Sequence, residues 1–173
     1  MTLTVFAATV VVFALIMYVL LDGFDLGVGN LVLTTFDETE RDAMVESIAP
    51  VWDGNETWLI LLGVTLLAAF PLAYSTILPA LYLPVMIMLL ALGFRGVSFE
   101  FRAQATRNRR YWDYAFFSGS VIASLCQGLM LGGVLSGVPI NGMESAGEVS
   151  VFSVFGIMIA ILTAVAYTML GAA

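Results

Sequence analysis

Two short motifs combine carboxylates with glycine beside long uncharged runs, and they are where the sequence offers chemistry. The first is Asp-Gly-Phe-Asp-Leu-Gly-Val-Gly at residues 22–29, and the second is Trp-Asp-Gly-Asn-Glu-Thr-Trp at residues 52–58. Carboxylates at or inside an apolar membrane span are costly, and they usually mark an ion or proton path. Asp22 and Asp25 are three residues apart, so on a helix they share one face. The pattern favours proton conduction or ion binding, and the alternative is that both carboxylates lie hydrated in the membrane interface.

The second motif has a competing structural interpretation. Asp53 and Glu56 have the spacing of a capping box, and Pro50 just before them suits a helix start. A cap contributes about 1 kcal/mol, which alone would be a reason for an aspartate at this position. Trp52 and Trp58 flank the motif, where interfacial anchoring is the ordinary role of tryptophan. The proton-path and capping interpretations of Asp53 both stay open at this point.

Composition identifies the class of protein that positions these motifs. The 173 residues are 61% hydrophobic and 11% charged, whereas a soluble domain carries roughly 25% charged residues. We therefore predict one all-α membrane domain, a polytopic transmembrane helix bundle with five spans, the second and third joined by a tight turn near residues 70–79. The expected spans are about 3–29, 56–72, 77–97, 113–137 and 149–171. A cleaved signal peptide at residues 1–21 is disfavoured because no basic segment precedes the apolar run.

The arginines orient this bundle. All six basic residues are arginine, and five of them lie between residues 95 and 110, with Arg41 the sixth. The positive-inside rule places the loop after the third span in the cytoplasm, and with it the loop 30–55. The N-terminus and the loops 73–76 and 138–148 then face outward, and both acidic motifs open toward the cytoplasm. Within the acidic stretch 34–50, a connecting loop and a short surface helix ending before Pro50 are both compatible with the sequence.

Three further features bear on chemistry and packing. Arg95 lies at the end of the third span, where the uncharged run 57–94 stops, and its side chain either snorkels to lipid headgroups or faces a carboxylate or a cofactor propionate. Asp113 is expected to cap the fourth span, and it could also take either of the two roles given for Arg95, at the headgroups or against a charged partner inside the complex. Gly23 and Gly27 have small-residue spacing for close helix packing, as do residues 128, 132 and 136. The chain contains no histidine and one cysteine, so we expect no metal site here. We also expect no nucleic-acid partner.

Together these motifs resemble subunit II of the cytochrome bd-type quinol oxidases. The matching segments are residues 22–29, Ser-Ile-Ala-Pro at 47–50, residues 52–58, and Phe94-Arg95 with Phe-Glu-Phe-Arg at 99–102. Their order and spacing match over residues 20–115, and the span pattern fits over the whole chain. The Asn-Glu-Thr sequence at 55–57 is similar to the cyanide-insensitive branch.

The resemblance implies a multi-pass subunit of a bacterial inner-membrane respiratory enzyme, which oxidises quinol and reduces dioxygen to water. Subunit I would bind haem b, haem d and the quinol, while this chain would ligate no haem and hold no catalytic residue. Membrane lipid, quinone and a third small subunit are further expected partners. Family members have about eight spans, and no charged or aromatic anchor follows residue 171, so we expect C-terminal residues to be missing.

The resemblance also implies roles for individual residues. Asp25 and Asp53 match carboxylates of a cytoplasmic proton path, to which Asp22 and Glu56 are added. Trp52 matches a position that supports the haem pair, and Trp58 one near a route for oxygen. Arg95 and Asp113 match polar positions near the interface with subunit I.

Two other functions remain compatible with the residues. One is an ion-coupled secondary transporter, which would predict paired broken helices in two corresponding halves. The other is a purely structural assembly subunit, in which Asp25 and Asp53 serve only packing and capping.

Overall fold

A computed structural model describes residues 2–105, 108–137 and 151–173. Every regular element within these ranges is an α-helix, which confirms the all-α fold class. The helices are α1 (Thr2–Leu31), α2 (Glu38–Ile48), α3 (Trp52–Ala69), α4 (Pro71–Ala80), α5 (Tyr82–Gln104), α6 (Arg109–Leu135) and α7 (Val154–Gly171). The predicted outer loop 138–148, the first two residues of the predicted fifth span, and Arg107 lie outside the described residues.

Among the described residues, four helices are long and apolar enough to cross a membrane: α1, α5, α6 and α7. Helix α3 occupies the position of the predicted second span and has 18 residues. Its first turns carry Asp53, Asn55 and Glu56, which lower its hydropathy below that of the other four. The fold is that of a polytopic helical membrane protein, and α3 is not among the four helices that meet the length and hydropathy of a membrane span.

The predicted tight turn between the second and third spans was wrong, because residues 71–80 form helix α4. Pro71 occupies the first turn, where its fixed φ suits a helix and its missing N–H costs nothing. The breaks fall instead on single residues with non-helical dihedrals, Phe70 before α4 and Leu81 after it. Prolines near both breaks therefore divide the apolar run into three helices rather than two.

Helix α2 settles the choice that the sequence left open for residues 34–50. It runs from Glu38 to Ile48 and begins at an Asp37 cap, whose Oδ1 accepts a 2.9 Å hydrogen bond from the Thr39 N–H. Its apolar face is buried, with Val45 and Ile48 in one core cluster with residues of α1, α5 and α6. The segment is therefore a docked surface helix that ends before Pro50, not a solvated loop.

The small residues predicted to mediate helix packing do so against α7. A methyl group at Gly23 would meet the Tyr167 ring, and one at Gly27 would meet the Tyr167 carbonyl oxygen. On α6, a methyl group at Gly128 would meet the Cα of Ala160, and one at Gly132 the Cα of Gly156. Van der Waals contact of this kind replaces hydrophobic drive between helices in lipid. It brings α1 and α6 together on α7, so that polar residues of α1, α6 and α7 meet inside the bundle.

Candidate functional site

Five polar side chains from three helices form a group that we name the acid–arginine cluster: Asp22, Asp25, Asn55, Glu56 and Arg95. Arg95 Nη1 lies 3.0 Å from Glu56 Oε1 and 3.9 Å from Asp22 Oδ1. The Arg95 side chain is 1% exposed and that of Asp22 is 0% exposed. The snorkelling interpretation of Arg95 was therefore wrong, because the guanidinium turns inward to carboxylates that would otherwise be buried without a counter-charge.

Asp25 joins the cluster through α3. The Asn55 side-chain amide donates a 2.8 Å hydrogen bond to Asp25 Oδ2. Asp25 is 0% exposed within this chain, and Asn55 and Glu56 are neighbours at the start of α3. In helix α3, Asn55 is therefore the partner of Asp25, and the next residue, Glu56, is the partner of Arg95.

Close helix packing positions Arg95. A methyl group at Gly119 of α6 would lie 2.9 Å from the Ala91 carbonyl oxygen and 3.0 Å from Arg95 Cβ. The absence of a side chain at Gly119 thus lets α5 approach α6. The Arg95 guanidinium carbon then lies 5.4 Å from the centre of the Phe116 ring, in cation–π range.

The cluster has more negative than positive groups. Three carboxylates and one guanidinium face one another, and each carboxylate is at least three-quarters buried. Among the described residues, Asp22 Oδ1 and Oδ2, Asp25 Oδ1, Arg95 Nε and Arg95 Nη2 have no hydrogen-bond partner. Excess buried charge is unfavourable in apolar surroundings, and proton binding relieves it. The arrangement is chemically suited to take up and release protons.

A second group of charged residues lies apart from the first, and we name it the α2 ion-pair network: Arg41, Asp42, Arg102, Arg109 and Asp113. Arg102 donates to Asp113 and, over 2.8 Å, to Asp42. Arg109 donates to Asp42 over 2.9 Å, and Arg41 lies 3.6 Å from Asp113. These contacts tie α2 to the adjoining ends of α5 and α6.

The expectation that Asp113 caps the fourth span was wrong. Helix α6 begins at Arg109 with Asn108 at its N-cap position, so Asp113 falls in the second turn and is buried against Arg102. Asp42, which lies outside the spanning helices, has a lowered pKa. Partial burial raises it, but the hydrogen bonds and charges of Arg102 and Arg109 outweigh that effect.

A row of aromatic rings adjoins the acid–arginine cluster. The Trp52 and Phe99 ring centres are 5.2 Å apart, and those of Phe99 and Phe116 are 5.9 Å apart. The row ends at Phe116, whose ring centre lies 5.4 Å from the Arg95 guanidinium carbon. Trp52 thus belongs to this row, and among the described residues no ion pair joins the acid–arginine cluster to the α2 ion-pair network.

Asp53 and Trp58 lie away from the acid–arginine cluster. Asp53 is exposed in the first turn of α3, whose N-cap position is Val51 with no side-chain cap hydrogen bond. The capping-box prediction was therefore wrong, and Asp53 is instead free to face water or another chain near the start of α3. Trp58 is half-buried and packs edge-on against Phe13, with ring centres 5.6 Å apart.

Sequence reasoning missed a set of three polar residues beside Asp22, of which the two tyrosines are buried and the glutamine is partly buried. Gln127 of α6 hydrogen-bonds to Tyr18 of α1 over 2.8 Å and to Tyr167 of α7 over 2.6 Å. Two signals were present in the sequence. Tyr18 precedes Asp22 by four residues, and Gln127 interrupts the uncharged run 114–143 with the longest polar side chain in it.

The residues present do not fit a metal or a haem iron. The described ranges contain no group of three or more histidine, cysteine, aspartate or glutamate residues placed to hold a metal ion. The sequence has no histidine, and Cys126 is buried in an apolar cluster with residues such as Leu26 and Met88. We therefore assign no step to a metal in this chain.

Comparison with known proteins decides the family. The family model for cytochrome bd terminal oxidase subunit II matches residues 3–173. The chain belongs to the cytochrome bd terminal oxidase subunit II family. Together with the four apolar helices, this membership fits a multi-pass membrane protein.

Individual relatives of the family agree with the match. The chain is 43% identical over 132 residues to "Cytochrome bd-I ubiquinol oxidase subunit 2" of Escherichia coli K12, covering 73% of this chain and 34% of that protein. It is 37% identical over 146 residues to "Cytochrome bd ubiquinol oxidase subunit 2" of Bacillus subtilis, covering 79% of this chain and 43% of that protein. The chain thus spans between about a third and two-fifths of the length of these relatives.

Proposed function

We propose that the chain acts within subunit II of a cytochrome bd-type quinol oxidase of the bacterial inner membrane, in which quinol oxidation is coupled to reduction of dioxygen to water. The observation that carries the proposal is the acid–arginine cluster. In this chain the buried Asp22 and the partly buried Glu56 lie against Arg95, and the buried Asp25 is bonded to Asn55, the neighbour of Glu56. Buried ionisable groups in a membrane protein are expensive, and their usual role is in ion or proton movement.

In this proposal the cluster forms part of a cytoplasmic proton path. Asp53 is exposed at the start of α3, and Glu56, 24% exposed, lies three residues further into the helix. Protons pass from the surface at Asp53 to Glu56, and then to Asp25 and Asp22. The Arg95 guanidinium has N–H donors and no acceptor, so in this proposal it orients the carboxylates and does not relay protons.

The direction of proton movement explains why such a path is useful. Dioxygen reduction consumes protons, and protons drawn from the cytoplasm across much of the membrane create a potential. Each elementary charge moved against 100 mV represents about 2.3 kcal/mol. A carboxylate path that opens on the cytoplasmic side therefore lets the reaction conserve energy without a separate pump.

We further propose that subunit I holds haem b, haem d and the quinol, since the residues of this chain do not fit a haem iron. The haems supply electron transfer and dioxygen reduction. Trp52, packed against Phe99, supports the side of the bundle nearest the haem pair, and Trp58 lines an apolar route for oxygen beside Phe13. Asp113 is buried inside this chain, so it supports the subunit interface through the α2 ion-pair network rather than by direct contact.

Reduced-minus-oxidised spectra of membranes test the subunit assignment. The haem-bearing partner is expressed with this chain and, separately, without it. We expect the absorption band of haem d in the first membranes and a much weaker band in the second, because subunit II completes the apolar surroundings of the haems. A haem d band of equal strength in both membranes would refute the assignment.

A purely structural role is the second candidate, and one observation favours it. Asp22 and Asp25 are 0% exposed in this chain, so they can act as buried packing partners of Arg95 and Asn55 alone. The two candidates differ in proton uptake, which the relay requires and the structural role does not.

The transporter alternative has less support. It requires broken helices in two matching halves, and the breaks in the described residues at Phe70 and Leu81 both adjoin the one helix α4.

A further inference from the structure

Two buried tyrosines and the partly buried Gln127 form a directed series of hydrogen bonds across α7, α6 and α1. The Tyr167 hydroxyl donates to Gln127 Oε1 over 2.6 Å, and Gln127 Nε2 donates to the Tyr18 hydroxyl oxygen over 2.8 Å. Tyr18 is 3% exposed and Tyr167 is 6% exposed. The amide of Gln127 therefore fixes the direction of both hydrogen bonds.

The hydroxyl proton of Tyr18 has no acceptor within this set of three residues. The Tyr18 oxygen accepts from Gln127, so the hydroxyl of Tyr18 keeps its own proton to donate elsewhere. Asp22 follows Tyr18 by four residues and therefore lies one turn away on the same helix face. Among the described residues, neither carboxylate oxygen of Asp22 has a hydrogen-bond partner.

The groups around Asp22 indicate which acceptor the Tyr18 hydroxyl has. Arg95 Nη1 lies 3.9 Å from Asp22 Oδ1 and is closer, at 3.0 Å, to Glu56. Other titratable groups close to Asp22 are Asp25 of α1, Glu56 of α3 and Tyr167 of α7, and Tyr167 already donates to Gln127. The Asp22 carboxyl group is thus the acceptor that lies nearest in sequence and on the right face for the Tyr18 hydroxyl.

We propose that Tyr18 is a positioning residue for Asp22, and that Gln127 and Tyr167 orient the Tyr18 hydroxyl so that it donates to the Asp22 carboxyl group. The hydrogen bond holds Asp22 toward Arg95 and so keeps the acid–arginine cluster assembled. A side-chain amide exchanges protons poorly, so the hydrogen bonds from Tyr167 through Gln127 to Tyr18 orient Asp22 and do not conduct protons. The inference deepens the proposed function, because it assigns support for one member of the proton path.

Infrared difference spectroscopy of the assembled oxidase, with ¹³C-labelled aspartate, tests the contact directly. The Asp22 carboxyl signal is identified as the one that Asp22→Asn removes. We expect Tyr18→Phe to shift that signal and to lower turnover about two- to tenfold, the range of one net hydrogen bond. Tyr111→Phe is the matched control, because Tyr111 is 75% exposed on α6, and it should leave the signal in place.

Gln127→Met provides an independent variant, since it keeps the side-chain length but removes both hydrogen bonds that orient Tyr18. It should shift the same Asp22 signal, and it carries the test if Tyr18→Phe does not assemble. An Asp22 signal unchanged in both variants would overturn the inference. A shifted signal together with normal proton uptake in Asp25→Asn would refute the proton path but support the contact between Tyr18 and Asp22.

Discussion

At the residue scale, Arg95 has the strongest influence on the acid–arginine cluster. Its guanidinium contacts Glu56 at 3.0 Å and Asp22 at 3.9 Å while lying over the Phe116 ring. A buried ion pair is a weak source of net stability, but removing one partner leaves a costly uncompensated charge. The main role of Arg95 is therefore to compensate the charge of the buried carboxylates, and its ion pairs add little net stability.

Replacing Arg95 by Met should show this asymmetry. We expect the free energy of unfolding of the purified complex to fall by about 3–5 kcal/mol, the range for removing one member of a buried pair. Thermal and denaturant unfolding measure it. Arg110→Met is the control, because Arg110 is exposed near the start of α6, and equal losses in the two variants would contradict the role assigned to Arg95.

The charged members of the acid–arginine cluster could be predicted from the sequence. Asp22, Asp25, Glu56 and Arg95 were recognisable as charges beside apolar runs. The sequence could not show that Arg95 turns inward, because snorkelling and pairing need the same side chain and differ only in which helix lies opposite. Tyr18, Gln127 and Tyr167 were missed because a tyrosine or glutamine in an apolar helix acquires a role only through partners far away in the chain.

At the element scale, helix α2 is held by charge on one face and by apolar contact on the other. Its Asp42 accepts from Arg102 and Arg109, while Val45 and Ile48 join the core. The sequence predicted a helix here as one of two alternatives. It did not predict the docking, because the ion pairs join residues about 60 positions apart.

The α2 contacts should depend on pH in one direction. The pKa of Asp42 is lowered from its ordinary value of 3.8 because, although burial raises it, Arg102 and Arg109 outweigh that effect. A carboxyl group with a lowered pKa stabilises the fold fully above its ordinary pKa, and that contribution is lost as the pH falls through the folded-state value. The protection that Asp42 gives the α2 amides against hydrogen exchange should thus be constant near neutral pH and should decrease as the pH falls below about 4.

Asp42→Asn tests the cause. After correction for intrinsic exchange, it should remove the acid-dependent part of the protection of α2, while Glu46→Gln, at an exposed position of the same helix, should keep it. The same acid dependence in Asp42→Asn as in the unmodified chain would exclude Asp42 as its source.

Glycines define the contact between α1 and α7. Small-residue spacing predicted close packing, and at Gly27 a methyl group would meet the Tyr167 carbonyl oxygen and the backbone of Gly171. The helix that would be the partner was not predictable, since the spacing identifies a face but not what lies against it. Helix α4 was missed for a related reason, because prolines at a helix start and in a turn look alike in sequence.

Gly27→Ala should separate the two helices. Overpacking of a tight contact typically costs about 1–3 kcal/mol, so we expect that loss in the free energy of unfolding and a lower yield of complex. Gly63→Ala, where a methyl group meets nothing within 4 Å, should have no such effect. Equal stability of both variants would mean that α1 and α7 are not in backbone contact.

At the scale of the whole molecule, the bundle separates an apolar surface from a polar interior. The first half of α1 is largely exposed in this chain, including Leu3, Phe6, Val12 and Phe13, whereas Asp22 and Asp25 in its second half are buried. This division suits a subunit whose outer surface meets lipid or another subunit. The charge distribution predicts that the buried half lies toward the cytoplasm, which the proposed proton path requires.

The measurement that tests the central claim most directly is proton uptake during dioxygen reduction by the assembled oxidase reconstituted in vesicles. Asp25→Asn keeps the size of the side chain and its contact with Asn55 but cannot bind and release a proton. We predict that uptake from the cytoplasmic side slows by about a hundredfold or more, with haem content unchanged. Glu46→Gln, the exposed carboxylate control on α2, should take up protons at the normal rate. Normal uptake in Asp25→Asn would contradict the relay and leave the acid–arginine cluster with a structural role alone.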